Sequence, residues 1–258
     1  MIICTAAQGT PEWHSDRAGA ITASMFRIAR SKTGGLTDQQ KIYVDAIVKG
    51  HSTDEAKTLA GYKAAPKAEA VERALAGEKV GEFSDVAKNY AFALAAERIA
   101  GKPLGDKFET WQMKRGHDLE PLAREAIENR LGVVINTCSL VKTDDHKFGA
   151  SADGFVGAKT GVEIKCLIGA DSLRTVIIDN DIEFFKDQIQ GGMWLTGRTH
   201  WIYAMFCPDL APANADLYWR IIKRDDDYIN ALESDLLEFD SLVESYRASI
   251  ISAKVDDP

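Results

Sequence analysis

The sequence predicts an α/β protein in which helices cover the faces of a central mixed β-sheet. Two patterns carry this prediction: apolar residues recur at helical spacing in some stretches, and apolar and polar residues alternate as in strands in others. The 258 residues are 45% hydrophobic and 27% charged, which is typical of a globular protein with a substantial core. We therefore expect a single domain, residues 1–258, with a helical insertion at residues 37–80.

The first half of the chain is predicted to be largely helical. After a polar lead-in, "PEWHSDR", the predicted helices are a short one that opens at "AITAS" and ends at Gly34 and Gly35, three short ones in residues 37–79, one at residues 84–100 and one in "HDLEPLAREAIENRLG". An interior proline loses a backbone hydrogen bond and clashes with the preceding turn. Pro121 is therefore expected in the first turn of its helix, with Glu120 at or near the helix start.

The second half is predicted to hold most of the strands. Strand-like alternation occurs in "VVINTCSLVKT", "KFGASADGFVG", "GVEIKCL", "HWIYAMFCP" and "DLYWRIIKR". Amphipathic helices are expected in "DIEFFKDQIQGGMWLTG" and in "DDDYINALESDLLEFDSLVESYRAS", whose acidic first turn suits a helix N-terminus. The helix around Glu120 is thus followed by three strands, and "GVEIKCL" completes a hairpin.

Several classes of protein are disfavoured by the composition. No apolar run approaches the roughly 20 residues that span a bilayer, and the N-terminus lacks the basic start and long apolar run of a secretory signal. Cys4, Cys138, Cys166 and Cys207 are far apart and form no C-x-x-C pair, so neither a zinc site nor a disulfide framework is expected. We expect a cytoplasmic protein with no membrane segment and with reduced cysteines.

The net charge of −8 at pH 7 bears on nucleic-acid binding. Affinity for phosphates comes from Lys and Arg side chains, so an acidic chain is at first a poor candidate. A nuclease that gathers carboxylates to hold a metal can nevertheless be acidic overall and bind DNA along a local basic channel. The overall charge therefore does not exclude a nuclease.

The stretch "SADGFVGAKTGVEIKC" places ionisable residues inside a predicted hairpin. Strand alternation separates two sets of side chains in "GVEIKC", with Glu163 and Lys165 on one face and Val162, Ile164 and Cys166 on the other. Asp153 lies ten positions before Glu163, and the turn "GAKTG" between them can bring both carboxylates to one end of the hairpin. The polar face of the hairpin is therefore a candidate active site.

These residues suit metal-dependent phosphate chemistry. Two carboxylates and a backbone carbonyl, here that of Ile164, provide hard oxygen ligands for Mg²⁺. Lys165 can orient a water and offset negative charge at a phosphorus. The alternative is that Glu163 and Lys165 are ordinary neighbours on the exposed face of an edge strand, because short motifs of this kind often occur by chance.

Five motifs occur in an order that resembles a known family: "WHSDRAGAITAS", "RGHDLEPLAREA", "SADGF" with "GVEIKC", "DQIQGGMWLTG" and the closing "YWRIIKRDDDYI". The hairpin resembles the core of the PD-(D/E)XK nuclease superfamily, with Ala152 in place of the usual proline. More narrowly, the chain resembles the phage λ exonuclease and YqaJ viral recombinase family. The resemblance implies a restriction-endonuclease-like fold, with a mixed sheet flanked by helices.

The resemblance also implies roles for individual residues. It implies metal binding by Glu120, Asp153 and Glu163, with Lys165 as the catalytic lysine, which agrees with the ligand set that includes the Ile164 carbonyl. It implies a pocket for a 5′-terminal phosphate made of Arg17, Ser24, Ser151 and Gln190, and we expect Gln188 to support Gln190. An Arg fork and neutral hydroxyl and amide groups suit a phosphate.

Some of these residues also have simpler explanations. Without the family pattern, Arg17 would be taken for a surface charge and Ser24 for a helix cap. Gln188 and Gln190 share little helical face, so only one should point into the site, and we expect this to be Gln190. His117 lies one turn before Glu120, but the resemblance assigns no role to it or to His146.

The activity implied by the resemblance is hydrolysis of linear double-stranded DNA from its 5′ end. The expected cofactor is Mg²⁺, with Mn²⁺ as a substitute, and the products would be 5′-mononucleotides and a 3′ overhang for recombination by strand annealing. The expected partners are duplex DNA with a 5′-phosphate, a single-strand annealing protein and further copies of the chain in a homotrimer. The alternatives are a PD-(D/E)XK endonuclease or structure-specific nuclease, and a non-catalytic DNA-binding protein.

Residues 37–80 depart from the family. Their opening, "LTDQQKIYVDAIVKGHSTDEAKTLAGYKAAP", resembles the helix-turn-helix start of phage terminase small subunits. The segment carries seven basic and seven acidic residues, so it shows no electrostatic preference for DNA. We expect it to serve packing or protein contacts, with a DNA-contacting helical module as the alternative.

Overall fold

The protein is described by a computed structural model that covers residues 1–78, 80–105 and 110–253. The helices are α1 Pro11–Arg17, α2 Phe26–Ala29, α3 Asp38–Val48, α4 Thr53–Ala60, α5 Glu69–Leu75, α6 Asp85–Ala100, α7 Trp111–Leu131, α8 Ala170–Ile177, α9 Lys186–Thr196 and α10 Asp226–Ser252. The strands are β1 Ile2–Ile3, β2 Ile21–Thr22, β3 Lys32–Thr33, β4 Glu82–Phe83, β5 Leu140–Lys142, β6 Phe148–Ser151, β7 Gly154–Val156, β8 Thr160–Lys165, β9 His200–Phe206 and β10 Leu217–Lys223. Lys79, in the predicted helical stretch, and residues 254–258 of the predicted domain lie outside the described residues.

The chain divides into two compact units. The larger comprises Met1–Ala29 and Tyr90–Pro258, and the smaller comprises Arg30–Asn89. In the smaller unit, α3, α4 and α5 bury a small core that includes Tyr43 and Val71. Capping boxes at the starts of α3 and α4 satisfy backbone N–H groups that a helix start leaves without partners. The three predicted short helices are therefore confirmed, while their description as an insertion stays a prediction.

The larger unit contains two mixed four-stranded sheets. Their strand orders are β1-β5-β6-β2 and β10-β9-β8-β7. The pairs β2–β6 and β8–β9 are parallel, and the other neighbours are antiparallel. The predicted α/β class, with mixed sheets flanked by helices, is confirmed.

The predicted strand "KFGASADGFVG" is divided between the two sheets. β6 ends at Ser151 in one sheet, and β7 begins at Gly154 in the other. Between them, the Ala152 carbonyl accepts a hydrogen bond from the Cys138 thiol, and the Asp153 N–H donates to the Val162 carbonyl. The central sheet expected from the sequence is therefore two sheets that meet at Asp153.

Apolar side chains cover both faces of the β8–β9 pair. On one face, Val162 and Ile202 pack with Ala123 and Ile127 of α7. On the other face, Trp201 and Tyr203 belong to a second core, with Ile189 and Met193 of α9 and Val176 of α8. The two cores hold α7 on one side of the sheet and α9 on the other.

Two predictions about the first half of the chain are wrong. The lead-in "PEWHSDR" is α1, whose start is capped when the Thr10 hydroxyl accepts from the Trp13 N–H. The stretch expected to be one helix up to Gly34 is instead β2, a 3₁₀ turn at Ala23–Met25 and α2, which ends at Ala29. Parallel pairing of Ile21 with Phe148 explains the difference, because tertiary pairing overrides local helix propensity.

Pro121 lies inside α7 and not in its first turn, so the predicted helix start is also wrong. The helix begins after Thr110, whose hydroxyl accepts from the Met113 N–H. The proline removes one backbone hydrogen bond, but both halves of the helix are held by other contacts. Arg115 donates to the Cys166 carbonyl, and Ile127 is fully buried.

The second half agrees better with prediction. The strands β8, β9 and β10 and the helices α9 and α10 lie where the sequence predicts them. "VVINTCSLVKT" is strand only at Leu140–Lys142, with an isolated bridge between Asn136 and Phe155. The helix α8 was not anticipated. Within the described residues, no helix is both long and apolar enough to span a membrane.

We expect Gly192→Ala to lower the free energy of unfolding by about 1–3 kcal/mol, because a Cβ there would lie 2.5 Å from the Trp201 ring and the packed core would have to shift. Gly116→Ala is the matched control, since it also changes a helical glycine but its Cβ would meet nothing within 4 Å. That variant should be neutral or stabilised by up to about 1 kcal/mol. Urea unfolding of both variants measures their free energies of unfolding. Equal stabilities would contradict the close packing of Gly192 against the Trp201 ring.

Candidate active site

The two faces of β8 carry different kinds of side chain. Val162 and Ile164 belong to the core beneath α7. Glu163 and Lys165 point away from that core, and Glu163 is contacted by a side chain of α9. The alternation predicted for "GVEIKC" is therefore confirmed, and the charged residues lie on the α9 side of the sheet.

Asp153 is fixed at the junction of the two sheets. Its N–H donates to the Val162 carbonyl at 3.0 Å, and its Oδ2 accepts from the Ile164 N–H at 2.5 Å. Burial, and then the negative charge of Glu163, raises the pKa of Asp153 well above its ordinary value. The hairpin thus holds two carboxylates close enough to influence each other, as the sequence predicts.

Lys165 and Gln188 both bind the carboxylate of Glu163. The Lys165 Nζ and the Gln188 Nε2 lie 2.7 and 2.6 Å from Glu163 Oε1. Burial lowers the pKa of Lys165, but the charges of Glu163 and Asp153 outweigh burial and raise it. The lysine is therefore held as an ammonium group beside the two carboxylates.

Glu120 reaches the same site from α7, on the other side of the sheet. Arg124, one turn later, donates through Nη2 to Glu120 Oε1 at 2.5 Å and approaches the Asp153 carbonyl at 3.4 Å. Both side chains are mostly buried, with 20% of Arg124 and 23% of Glu120 exposed. Arg124 thus ties the Glu120 helix to the β7–β8 hairpin, a role that was not predicted although the i, i+4 spacing could have indicated it.

One open cleft of about 500 Å³ joins these groups to the predicted phosphate pocket. The predicted site residues that line it are Arg17, Ser24, Glu120, Ser151, Asp153, Glu163, Ile164, Lys165 and Gln188. His117 and Thr22, which were not predicted site residues, line it as well. Segments that are far apart in sequence therefore meet in a single cleft.

Arg17 is held at the cleft wall by three contacts. Its Nη2 donates to Thr22 Oγ1 and to Ser24 Oγ, both at 2.8 Å, and its guanidinium carbon lies 5.0 Å from the centre of the Trp13 ring. Burial lowers the pKa of Arg17, although an Arg remains charged at neutral pH. Neither a free surface charge nor a simple helix cap describes Arg17 and Ser24 in this arrangement.

Ser151 and Gln190 differ in what their polar atoms contact. The Ser151 Oγ is buried at the cleft and has no hydrogen-bond partner among the described residues, so a ligand could satisfy it. Gln190 is buried and binds backbone on both sides, donating to the Lys223 carbonyl and accepting from the Asp225 N–H. The expectation that Gln190 points into the cleft is therefore wrong.

Gln188, expected only to support Gln190, is the glutamine of α9 that faces the cleft. The helical offset between the two positions correctly predicted that one glutamine would face the site. It could not identify which one, because this depends on how α9 is rotated against β9 and α10. His146 lies in the turn before β6 with φ of +62°, and it is not among the residues that line the cleft.

The donor atoms around the cleft suit a hard divalent cation. Asp153, Glu163 and Glu120 offer carboxylate oxygens, and the Ile164 backbone lies against Asp153. Within the part of the chain that the structure describes, however, no three His, Cys, Asp or Glu side chains form a preassembled metal cluster. One oxygen of Glu163 accepts hydrogen bonds from Lys165 and Gln188. One oxygen of Glu120 accepts a hydrogen bond from Arg124.

The sequence matches the model of the YqaJ-like viral recombinase domain over residues 12–199, well over half of the chain. The chain belongs to this family. The match spans most of α1, the Glu120 helix, the β7–β8 hairpin and α9, so the resemblance inferred from the ordered motifs is confirmed. Comparison with curated proteins finds no match.

Solved structures show the same fold. An alkaline exonuclease from Laribacter hongkongensis is 22% identical over 94% of this chain and 96% of its own, with a TM-score of 0.67. The same exonuclease in complex with dAMP is 23% identical over 93% and 96%, with the same TM-score. A phage-related exonuclease from Haemophilus somnus is 16% identical over 90% and 95%, with a TM-score of 0.58. At these identities the likeness shows that this YqaJ-family chain shares their fold.

We expect Arg124→Ala to lower the free energy of unfolding by about 1–3 kcal/mol, because the mostly buried Glu120 loses its partner and α7 loses its tie to the hairpin. Arg130→Ala, at an exposed position near the end of the same helix, is the control and should change stability by no more than about 0.5 kcal/mol. Guanidinium titrations of both variants give the comparison. If Arg124→Ala lowered the free energy of unfolding no more than Arg130→Ala does, Arg124 would not tie α7 to the hairpin.

Proposed function

We propose that this YqaJ-family protein is a metal-dependent 5′ to 3′ exonuclease acting on linear double-stranded DNA. It would hydrolyse the 5′ strand to mononucleotides and leave a 3′ single-stranded overhang for recombination by strand annealing. The observation that carries the proposal is the shared cleft in which Asp153, Glu163 and Lys165 lie together with Arg17 and with the Ser151 hydroxyl, which has no partner among the described residues. One end of this cleft suits phosphodiester cleavage and the other suits a terminal phosphate.

The metal end of the cleft would be formed by Glu120, Asp153, Glu163 and the Ile164 carbonyl. These hard oxygen ligands suit Mg²⁺, with Mn²⁺ as a substitute. A bound ion would supply an activated water and charge stabilisation at the phosphorus. When a metal binds, Glu163 and Glu120 would give up some of their present hydrogen bonds to Lys165 and Arg124.

Lys165 would act on the reacting phosphodiester from its position beside Glu163. Its ammonium group offers hydrogens to a phosphate oxygen and offsets charge that develops during cleavage. Glu163 holds the ammonium at 2.7 Å, so the donor is positioned before substrate arrives. Gln188, bound to the same carboxylate oxygen, fixes the orientation of Glu163 from the α9 side.

Arg17, Ser24 and Ser151 would bind the 5′-terminal phosphate. The guanidinium supplies charge and the hydroxyls supply neutral hydrogen bonds. A phosphate held at this end places the first phosphodiester towards the carboxylates, which favours removal of one nucleotide at a time. The structural neighbour from Laribacter, described as an alkaline exonuclease and also crystallised with dAMP, supports this choice over an endonuclease.

The assembly and partner of the enzyme are proposed on family grounds. A homotrimeric ring would keep the DNA engaged between cleavage events, and a single-strand annealing protein would receive the 3′ overhang. Sedimentation of the purified chain with and without duplex DNA tests the first proposal. Capture of a single-stranded DNA-binding protein by the exonuclease during resection tests the second.

We expect Mg²⁺-dependent release of mononucleotides from linear 5′-phosphorylated duplex, and no cutting of closed circular duplex. Lys165→Ala and Asp153→Ala should each reduce kcat at least about 100-fold, because each removes a group that stabilises the transition state or holds the metal. Release of acid-soluble nucleotides measures both effects. Cleavage of the circle would favour an endonuclease on the same metal core, and absence of any Mg²⁺- or Mn²⁺-dependent cleavage would favour a DNA-binding protein.

The two glutamines of α9 should separate activity from stability. Gln188→Ala is expected to reduce kcat about 10-fold or more while leaving the folding free energy within about 1 kcal/mol, because Gln188 orients Glu163. Gln190→Ala should instead cost about 1–3 kcal/mol of stability, because two buried backbone groups lose their partners. Rates at a temperature where both variants are folded, with thermal unfolding alongside, distinguish them. The reverse result would show that Gln190 serves the site.

A further inference from the structure

Thr22 adds a hydroxyl to the pocket that neither the family resemblance nor the proposed phosphate ligands include. It ends β2, lines the cleft and is only 3% exposed. Its Oγ1 and the Ser24 Oγ each accept a hydrogen bond from Arg17 Nη2 at 2.8 Å. Because Nη2 carries two hydrogens, both are used, and the guanidinium cannot turn without losing one of these bonds.

This arrangement leaves other donors for a ligand. Within the described residues, Arg17 Nε and Nη1 have no acceptor, and the Thr22 hydroxyl has no acceptor for its own hydrogen. A hydroxyl that accepts from a guanidinium directs its own hydrogen elsewhere. The Arg17 guanidinium is therefore held through Nη2, while the N–H groups of Nε and Nη1 remain available to donate to a ligand.

The backbone between Arg17 and Thr22 is also held in place. The Gly19 N–H donates to Glu97 Oε2 at 2.8 Å, and Arg98 Nε donates to the Gly19 carbonyl at 2.9 Å. Gly19 has φ of +73°, and a Cβ there would lie 2.8 Å from Arg98 Cγ, so this position requires glycine. Two neighbouring residues of α6 thus fix the loop that sets Thr22 beside Arg17.

We propose that Thr22 is a positioning residue for the phosphate-binding Arg17. The inference deepens the proposed function and rests on it, since it presupposes that the Arg17 end of the cleft binds a 5′-phosphate. A long Arg side chain loses rotamer freedom when it binds a ligand, and a fork that is already immobilised loses less. Thr22 therefore raises affinity for a terminal phosphate without needing to touch it.

The test compares binding of a linear DNA duplex with a 5′-phosphate and the same duplex with a 5′-hydroxyl, by fluorescence anisotropy in EDTA, where no cleavage takes place. Wild-type protein should prefer the phosphorylated duplex. Thr22→Val, which keeps the shape and removes the hydroxyl, should reduce that preference about three- to tenfold, as expected for loss of a hydrogen bond to a charged group. Thr22→Ser, which keeps the hydroxyl, should retain it.

Two controls separate positioning from folding. Thr143→Val removes a threonine hydroxyl from the β5–β6 turn, outside the cleft, and should leave the phosphate preference unchanged. In an Arg17→Ala background, Thr22→Val should have no further effect on the preference, because its action passes through Arg17.

The outcomes that overturn the proposal are distinct. A wild-type preference that survives in Thr22→Val, or an equal loss in the presence and absence of Arg17, overturns the positioning role and leaves the proposed exonuclease intact. Absence of any preference in wild-type protein overturns the phosphate pocket and the role of Thr22 together.

Discussion

The hydrogen bond from the Ile164 N–H to the Asp153 carboxylate is the contact on which the arrangement of the cleft depends. It joins the start of β7 to the end of β8, at the point where one sheet gives way to the other. Asp153 also donates its own N–H to the Val162 carbonyl, so both its backbone and its side chain are fixed by the neighbouring strand. A carboxylate held at two points in this way loses little further freedom when it binds a ligand.

Buried carboxylates are costly unless positive charge lies near them. A positively charged side chain lies beside the carboxylates on each side of the sheet. Lys165 binds Glu163 on the α9 side, and Arg124 binds Glu120 on the α7 side while approaching the Asp153 carbonyl. Burial, and then the negative charge of Glu163, raises the pKa of Asp153 despite these cations. A site with excess negative potential and hard oxygen donors is one that a divalent cation would stabilise, which is the physical basis for proposing Mg²⁺.

The sequence predicts the cleft best where the relevant contacts are local. Side chains alternate between the two faces of any strand, so the sequence alone predicted that Val162 and Glu163 would lie on opposite faces of β8. The hairpin likewise needed only a short turn between Asp153 and Glu163. The motif order, which reflects ancestry and not geometry, supplied Arg17 and Ser24, which periodicity alone would have left as surface and capping residues.

Predictions failed where distant segments decide the outcome. The choice between Gln188 and Gln190 depends on the backbone of Lys223 and Asp225, more than thirty residues away, which takes both polar atoms of Gln190. The interior position of Pro121 depends on contacts of α7 that outweigh one lost hydrogen bond. Neither effect leaves a signal in local sequence, because the competing partners are chosen by the fold.

The spacing between α9 and β8 is set by apolar packing and in turn sets the polar contact between Gln188 and Glu163. The Trp201 ring lies against Gly161 of β8 and Gly192 of α9, and a Cβ at either glycine would come within 2.5 Å of it. Gln188 precedes Gly192 by one helical turn. The close approach of α9 to β8 that accommodates the Trp201 ring therefore also brings the Gln188 amide nitrogen to 2.6 Å from the Glu163 carboxylate. A close-packed core transmits displacements with little loss. The orientation of Glu163, and through it the position of Lys165, therefore depends on two glycines that do not line the cleft.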